Sequence, residues 1–163
     1  MAGEPDRPRL THVDESGAAR MVDVSGKQVT ARTAVATGKV LVSDEVVGLL
    51  RGEGVPKGDA LGVARIAGIM ATKKTPDLIP LCHPLAIAGV EVDLEVEDDG
   101  VKITATVRTA DRTGVEMEAL TAVGVAALTV VDMVKAVDKT SVITDIRVES
   151  KTGGKSGDWV RPQ

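Results

Sequence analysis

The stretch from Glu116 to Val137, EMEALTAVGVAALTVVDMVKAV, constrains this chain most. After its first residue the charged side chains are Glu118, Asp132 and Lys135, and two threonines are the other polar ones. A helix this apolar on all sides must be covered by protein over most of its surface. Its longest uncharged run, 119–131, has 13 residues, fewer than the roughly 20 that span a bilayer. We therefore predict a core helix rather than a membrane span.

The three charges of this helix fall on one side of it. Asp132 and Lys135 are one turn apart, and Glu118 projects within about 40° of Asp132 at the helical period. One interpretation is an i,i+3 ion pair, worth roughly 0.3 kcal/mol. The other is that these groups line a wet pocket in apolar surroundings, where a displaced pKa suits an Asp or a Lys to proton transfer. The residues alone leave both interpretations open.

Composition limits the architecture and the partners. The chain has 163 residues, no Phe, no Tyr and a single Trp159, which predicts one domain with a core of Val, Ala, Leu, Ile and Met. Side chains this small favour wide contacts between subunits. A net charge of −4 argues against binding nucleic acid or an anionic membrane. A single cysteine, Cys82, and no secretory leader predict a cytoplasmic protein.

Periodicity and capping residues predict seven elements in the order βααββαβ. We predict strands over 29–42, 89–97, 101–109 and 142–148, and helices from the N-cap Ser43 to Gly52, from the N-cap Asp59 to Lys74, and over 116–137. The segment 75–85, TPDLIPLCHPL, has three prolines and is predicted to be neither helix nor central strand. This order matches the ferredoxin-like βαββαβ arrangement, an α+β fold with a four-stranded antiparallel sheet and helices on one face.

A single ferredoxin-like domain is predicted over 11–150, with a flexible segment at each end. Residues 1–10 hold two prolines and four charges without periodicity, which predicts a mobile N-terminus. Residues 151–163 form a Gly- and Lys-rich tail that lacks the glycine spacing of a Walker motif. Lys151 and Lys155 lie among glycines, so the tail either is solvated or closes over an anion.

Three further positions carry reactive or charged groups. Cys82 and His83 are adjacent, but neighbouring residues in an extended loop point apart, which disfavours thiol catalysis. His83 is either a packed loop histidine or a ligand contact, and Lys57 beside a glycine is either a turn residue or a cation of a site. With only His12, His83 and Cys82 as soft ligands, we expect no resident metal, whereas magnesium can enter with a phosphate.

Four segments in order closely resemble the family of cyclic pyranopterin monophosphate synthase, the C protein of molybdenum cofactor biosynthesis. They are LTHVDESGAARMVDVSGK, KGDALGVARIAGIMATKKTPDLIPLCHPL, TGVEMEALTAVGVAALTVVDMVKAV and KTGGKSGDW. Each segment alone is a weak motif, but four in the family's order cover nearly the whole chain.

The resemblance implies a catalytic subunit of a homohexamer, a trimer of dimers with active sites at subunit interfaces. It implies conversion of 3′,8-cyclo-7,8-dihydroguanosine 5′-triphosphate to cyclic pyranopterin monophosphate with release of pyrophosphate, a lyase-type reaction. Asp132, Lys57 and Lys135 are then the catalytic residues. The implied substrate-binding residues are Leu81, Cys82, His83, Glu116, Met117, Glu118, Arg32, Lys151 and Lys155. The alternatives are a regulatory domain that binds a metabolite without turnover and a purely structural oligomer subunit.

Overall fold

A computed structural model describes residues 10–52 and 54–163 as an antiparallel sheet with helices on one face. The elements are β1 (Thr30–Leu41), α1 (Asp44–Arg51), α2 (Ala60–Thr72), α3 (Thr75–Leu78), β2 (Ile87–Glu97), β3 (Gly100–Asp111), α4 (Glu116–Val134), β4 (Val142–Thr152) and β5 (Trp159–Val160). The sheet order is β2-β3-β1-β4-β5. The α+β, ferredoxin-like prediction is confirmed with one correction, a fifth strand. Except for Leu10, the predicted mobile N-terminus lies outside the described residues.

The core lies between the sheet and α4. Alternate residues of the central strands β1 and β3 point towards the helices, as their period of two requires. The helix contributes mainly alanines and valines to this interface, and such short side chains let it pack closely against the sheet. The fully buried members of this layer are Ala36, Val40, Val101, Ile103, Ala105, Val107, Ala119, Ala122, Val123, Ala126, Ala127 and Val130.

Helix α4 is the predicted core helix. By length and composition it would also qualify to cross a membrane, a test that the core helix of a soluble protein passes equally. Nine of its residues are buried against the rest of the fold. The helix ends at Val134, not at the predicted Val137, and Lys135 is its C-cap. A turn follows and brings the buried Asp138 back towards the start of α1.

The proline-rich segment and the tail differ from the prediction, because main-chain hydrogen bonds form there without an apolar pattern of side chains. The first turn of the proline-rich segment forms α3, where Pro76 occupies a position whose N–H needs no partner. Strand β4 runs past the predicted end at Val148 to Thr152, pairing with β1 through polar residues. The tail then adds β5, in which Trp159 pairs with Lys151. The sheet thus includes part of the predicted tail.

A second, smaller apolar cluster joins α1, the loop after it and the end of α4. Its buried members are Val46, Val55, Ala60, Met133 and Val134. The buried carboxylate of Asp138 closes this region, because it accepts the backbone N–H of Ser43 at 2.9 Å and that of Thr140 at 2.7 Å. Hydrogen bonds from Thr140 and Ser43 hold the pKa of Asp138 below its usual range. The C-terminal end of α4 is therefore fixed relative to the loop that carries Lys57.

Candidate active site

The site residues predicted from the sequence lie in two groups at opposite ends of α4. The group that we call the catalytic end, after the role predicted for its members, comprises Lys57, Asp132 and Lys135. The group that we call the binding end, after its predicted role, comprises Arg32, Leu81, Cys82, His83, Glu116, Met117, Glu118, Lys151 and Lys155. Asp132 follows Glu118 by fourteen residues, which corresponds to about 21 Å along the helix axis. Glu118 therefore does not meet Asp132 and Lys135 within one chain.

At the catalytic end, one carboxylate holds two ammonium groups. Asp132 Oδ1 lies 2.7 Å from Lys135 Nζ, and Asp132 Oδ2 lies 3.1 Å from Lys57 Nζ. Hydrogen bonds from Lys135 and then Lys57 lower the pKa of Asp132, so this carboxylate is ionised at neutral pH. The predicted ion pair is present, and a third charge from a distant loop joins it.

The expected apolar surroundings of this end are wrong for the isolated chain. The side chains of Asp132 and Lys57 are 54% and 40% exposed, because Asp132 lies on the side of α4 opposite to the buried Met133 and Val134. Lys57 lies in a tight turn in which Gly58 N–H donates to the carbonyl of Val55 at 3.0 Å, and Val55 is buried. The turn gives Lys57 a defined place beside Asp132. Exposed ion pairs contribute little to stability, so this arrangement is free to serve binding or chemistry.

At the binding end, a small cavity of about 130 Å³ opens beside the start of α4. Its lining comprises His12, Leu81, Cys82, His83, Leu85, Thr113, Gly114, Glu116, Met117 and Glu118. Glu118 is only 3% exposed, and burial, reinforced by the nearby Glu116, raises its pKa to about 7. This end therefore has a carboxyl group that gains or loses a proton near neutral pH.

Cys82 and His83 belong to this cavity without forming a nucleophile pair. Burial, and then the charge of Glu118, raises the pKa of the Cys82 thiol, which opposes thiolate formation. His83 Nε2 lies 2.5 Å from the carbonyl oxygen of Val22. A carbonyl only accepts, so His83 Nε2 donates and ties the segment before β1 to the cavity. His83 thus both packs against this segment and lines the cavity.

A larger, cationic pocket of about 880 Å³ lies next to the β4–β5 loop. It is lined by Gly26, Lys27, Gln28, Thr30, Arg32, Gly154, Lys155 and Ser156. Three positive side chains thus face one space, and Arg32 is oriented by donating from Nε to the carbonyl of Asp111 at 3.2 Å. Lys151 Nζ lies 3.5 Å from Glu116 Oε1 and 3.0 Å from Ser156 Oγ, between this pocket and the smaller cavity.

Among the titratable residues that line the two pockets, Lys27 and His12 are the ones that were not predicted as site residues. Lys27 closes the first segment on which the family resemblance rests, and His12 lies within it, so their place in that motif was the available signal. His12 lies two residues after the predicted mobile N-terminus, residues 1–10, yet it lines the cavity beside Glu118. Neither residue lies in a periodic element, which is why pattern reasoning passed over them.

Metal-ligating side chains do not cluster in the part of the chain that the structure describes. No group of three His, Cys, Asp or Glu residues within 10–52 and 54–163 has the geometry to hold an ion. The expectation that the protein has no resident metal stays a prediction.

We expect stability to fall as pH rises through the range in which Glu118 loses its proton. Its pKa is raised from 4.5 to about 7, so between these values the folded state binds more protons than the unfolded state. This shift corresponds to on the order of 3 kcal/mol of unfolding free energy lost between pH 4.5 and pH 7. Urea unfolding at several pH values measures the slope. Glu118→Gln should flatten it and Glu95→Gln, exposed on β2, should not; an unchanged slope in Glu118→Gln contradicts the prediction.

The sequence of this chain is similar to those of known proteins. The family model described as the MoaC family matches residues 21–154. A protein of a Nocardioides species named cyclic pyranopterin monophosphate synthase is 81% identical over 161 residues, covering 96% of this chain and 99% of that protein. A protein of the same name from Streptomyces coelicolor is 77% identical, covering 98% and 94%. Cyclic pyranopterin monophosphate synthase 2 of Mycobacterium tuberculosis is 61% identical, covering 93% and 91%.

Proposed function

This chain belongs to the MoaC family, and we propose on that basis that it is a cyclic pyranopterin monophosphate synthase of molybdenum cofactor biosynthesis. It converts 3′,8-cyclo-7,8-dihydroguanosine 5′-triphosphate to cyclic pyranopterin monophosphate and releases pyrophosphate. The observation that carries this conclusion is the 81% identity to a protein of that name across nearly the full length of both chains. The paired carboxylate and ammonium groups and the cationic pocket are the chemistry that such a reaction needs.

The cationic pocket is proposed to take the triphosphate. Arg32, Lys151 and Lys155, together with Lys27, place positive charge around one space, and a guanidinium binds phosphate oxygens with two parallel hydrogen bonds. Positive groups also stabilise the charge that develops on pyrophosphate as it leaves. An acidic protein can therefore bind a polyanion locally.

The smaller cavity is proposed to hold the guanine-derived end. Glu118 at its wall accepts from ring N–H groups when ionised and donates when protonated, and its raised pKa allows both near neutral pH. Leu81, Cys82, His83 and Met117 line the same cavity and would hold the ring, while Glu116 pairs with Lys151 at the boundary towards the phosphates.

The catalytic end is proposed to move protons. Ring opening needs protons placed on nitrogen and oxygen, and phosphate cyclisation needs a sugar hydroxyl to lose its proton as it attacks the α-phosphorus. In that step an O–P bond forms and the bond from phosphorus to the pyrophosphate oxygen breaks. Ionised Asp132 holds Lys57 and Lys135 at 3.1 and 2.7 Å, and their N–H groups supply donors and positive charge at the reacting atoms.

A complete site is proposed to need two copies of the chain. Proton transfer requires contact at about 3 Å, yet the two ends of α4 are about 21 Å apart by helical rise. A second copy that brings its catalytic end to the binding end of the first resolves this separation. Exposed apolar residues on α2 and α4, Val63, Ile66, Met70 and Leu128, offer a face for such contact. This supports the homohexamer, a trimer of dimers, that the family resemblance implies.

The remaining parts of the proposal concern cofactor and location. The reaction needs no redox group, so no resident cofactor is proposed, and magnesium is expected only as a companion of the triphosphate. A cytoplasmic enzyme is proposed because the substrate is a nucleotide derivative and the chain carries a single cysteine.

The direct test is a coupled assay of pyrophosphate release from the cyclic dihydroguanosine triphosphate, with mass spectrometry of the pterin product. We expect stoichiometric pyrophosphate and product, and no pyrophosphate from GTP, which lacks the cyclic ring system. Substrate binding without product would instead indicate a metabolite-binding domain and would contradict the proposed function.

A further inference from the structure

The loop that joins β4 to β5, residues 153–158, is held in a defined shape. Gly153 N–H donates to Asp158 Oδ1 at 3.2 Å, and Gly157 N–H donates to the carbonyl of Gly154 at 3.2 Å. At its base, Lys151 pairs with Trp159 between the two strands. The backbone of this loop therefore presents fixed groups to the cationic pocket that it borders.

Gly154 lies directly against the guanidinium of Arg32. Its φ of +82° is a left-handed conformation, and a Cβ built on it would lie 2.1 Å from Nη1 and 2.8 Å from Cζ of Arg32. The opposite constraint on Arg32 is the hydrogen bond from Nε to the carbonyl of Asp111. The guanidinium is thus confined between a strand carbonyl and a backbone without a side chain.

We propose that Gly154 is a positioning residue that sets where the Arg32 guanidinium enters the cationic pocket. Any side chain at this position must displace the guanidinium, because the two would occupy the same space. Arg32 ends a flexible side chain, so it can move at little cost to the fold, but its N–H groups then no longer converge with Lys27 and Lys155. The role in substrate binding rests on the proposed function, which assigns this pocket to the triphosphate.

Gly157 provides a matched control in the same loop. Its φ is +71°, so alanine there meets a similar backbone strain, yet a Cβ at Gly157 has no neighbour within 4 Å. Gly154→Ala and Gly157→Ala therefore differ mainly in the contact with Arg32. Each variant is tested as the full chain, for thermal unfolding, for binding of inorganic tripolyphosphate by calorimetry, and for steady-state kinetics.

We expect Gly154→Ala to weaken tripolyphosphate binding about tenfold and to raise KM about tenfold, the size of one lost charge-assisted contact. Its kcat should fall by at most about threefold, since most of the lost contact is binding common to substrate and transition state and the lysines of the pocket still stabilise the departing pyrophosphate. Gly157→Ala should change affinity and KM by less than about twofold. Equal effects of the two alanines, or an unchanged affinity in Gly154→Ala, would overturn the proposal.

The double variant Arg32→Ala with Gly154→Ala tests whether Gly154 acts through Arg32. With the guanidinium absent, the three atoms nearest to a Cβ at 154 are gone, so alanine there should add no loss of affinity beyond that of Arg32→Ala and the backbone strain that Gly157→Ala measures. Gly154→Ala is expected to fold, because the Arg32 side chain can move aside, and a Gly154→Ala variant that does not fold while Gly157→Ala does would contradict the proposal. Additive losses of affinity in the double variant would also contradict the role of Gly154.

Measuring tripolyphosphate binding and pyrophosphate release separately distinguishes a failure of this inference from a failure of the proposed function. If the wild-type protein binds tripolyphosphate but releases no pyrophosphate from the cyclic nucleotide, the proposed function fails, and the comparison of Gly154→Ala with Gly157→Ala still decides the positioning role. If the wild-type protein does not bind tripolyphosphate, the assignment of Arg32 to a phosphate fails and this inference fails with it.

Discussion

Replacing Asp132 by asparagine is expected to lower kcat for pyrophosphate release by about a thousandfold, within the range for a group that supports proton transfer. The amide keeps the shape of the side chain but removes the negative charge between two ammonium groups, at 2.7 Å and 3.1 Å. Lys57 and Lys135 then repel each other and no longer share a fixed position. Because Asp132 is half exposed, circular dichroism and thermal unfolding should hardly change.

Asp77→Asn is the matched control for this experiment. Asp77 pairs with Lys74 at 3.9 Å in an exposed i,i+3 arrangement like that of Asp132 and Lys135, but it lies outside both groups of site residues. Its kcat should stay within about twofold of wild type, as for most surface changes. A comparable kcat in Asp132→Asn, with the fold intact, would remove Asp132 from the mechanism.

The second large effect is recovery of activity when two defective chains are mixed. One chain carries Asp132→Asn at the catalytic end, and the other carries Arg32→Ala with Lys155→Ala at the binding end. Each alone should retain at most about a hundredth of the wild-type kcat/KM, from the loss of proton transfer or of two phosphate contacts. In mixed assemblies, a site that takes one end from each of two copies is intact about a quarter of the time.

Co-expression of the two chains, followed by kcat/KM measured at low substrate, gives the result directly. We expect about a quarter of wild-type activity from an equal mixture, as the symmetric interface requires. If both ends of the site belong to one chain, mixing restores nothing, and the proposed sharing between copies is wrong. Mixing separately assembled proteins without subunit exchange is the control and should also restore nothing.

Local patterns in the sequence predicted the regular elements well. The alternation on either side of Asp98-Asp99-Gly100 predicted the β2–β3 hairpin, and Ser43 and Asp59 cap α1 and α2 as expected, accepting from Val46 and Gly62. These features depend on residues a few positions apart, so a single segment contains all of their physical cause. The fifth strand and α3 were missed because they have only 2 and 4 residues, too few to show a periodic side-chain pattern.

The family could be identified from the sequence, because its motifs can be read directly from the residues, and the same motifs supplied the residues proposed for the site, although not their environments. The sequence indicated an apolar setting for Asp132, whereas the structure exposes it and buries Glu118 instead. How exposed a side chain is at the end of a helix depends on which distant segments pack against it. The sequence of α4 alone therefore does not predict this exposure.

The sequence by itself determined that an apolar core helix starts at Glu116 and bears Glu118 and Asp132, with Lys135 at its C-terminal end. Only the tertiary structure decided that these charges belong to two separate groups, that Lys57 joins Asp132, and that Gly154 confines Arg32. The reason is the distance along the chain over which each interaction acts. Helix period and capping act over one or two turns, whereas these contacts join residues far apart in the chain and exist only once the sheet has assembled.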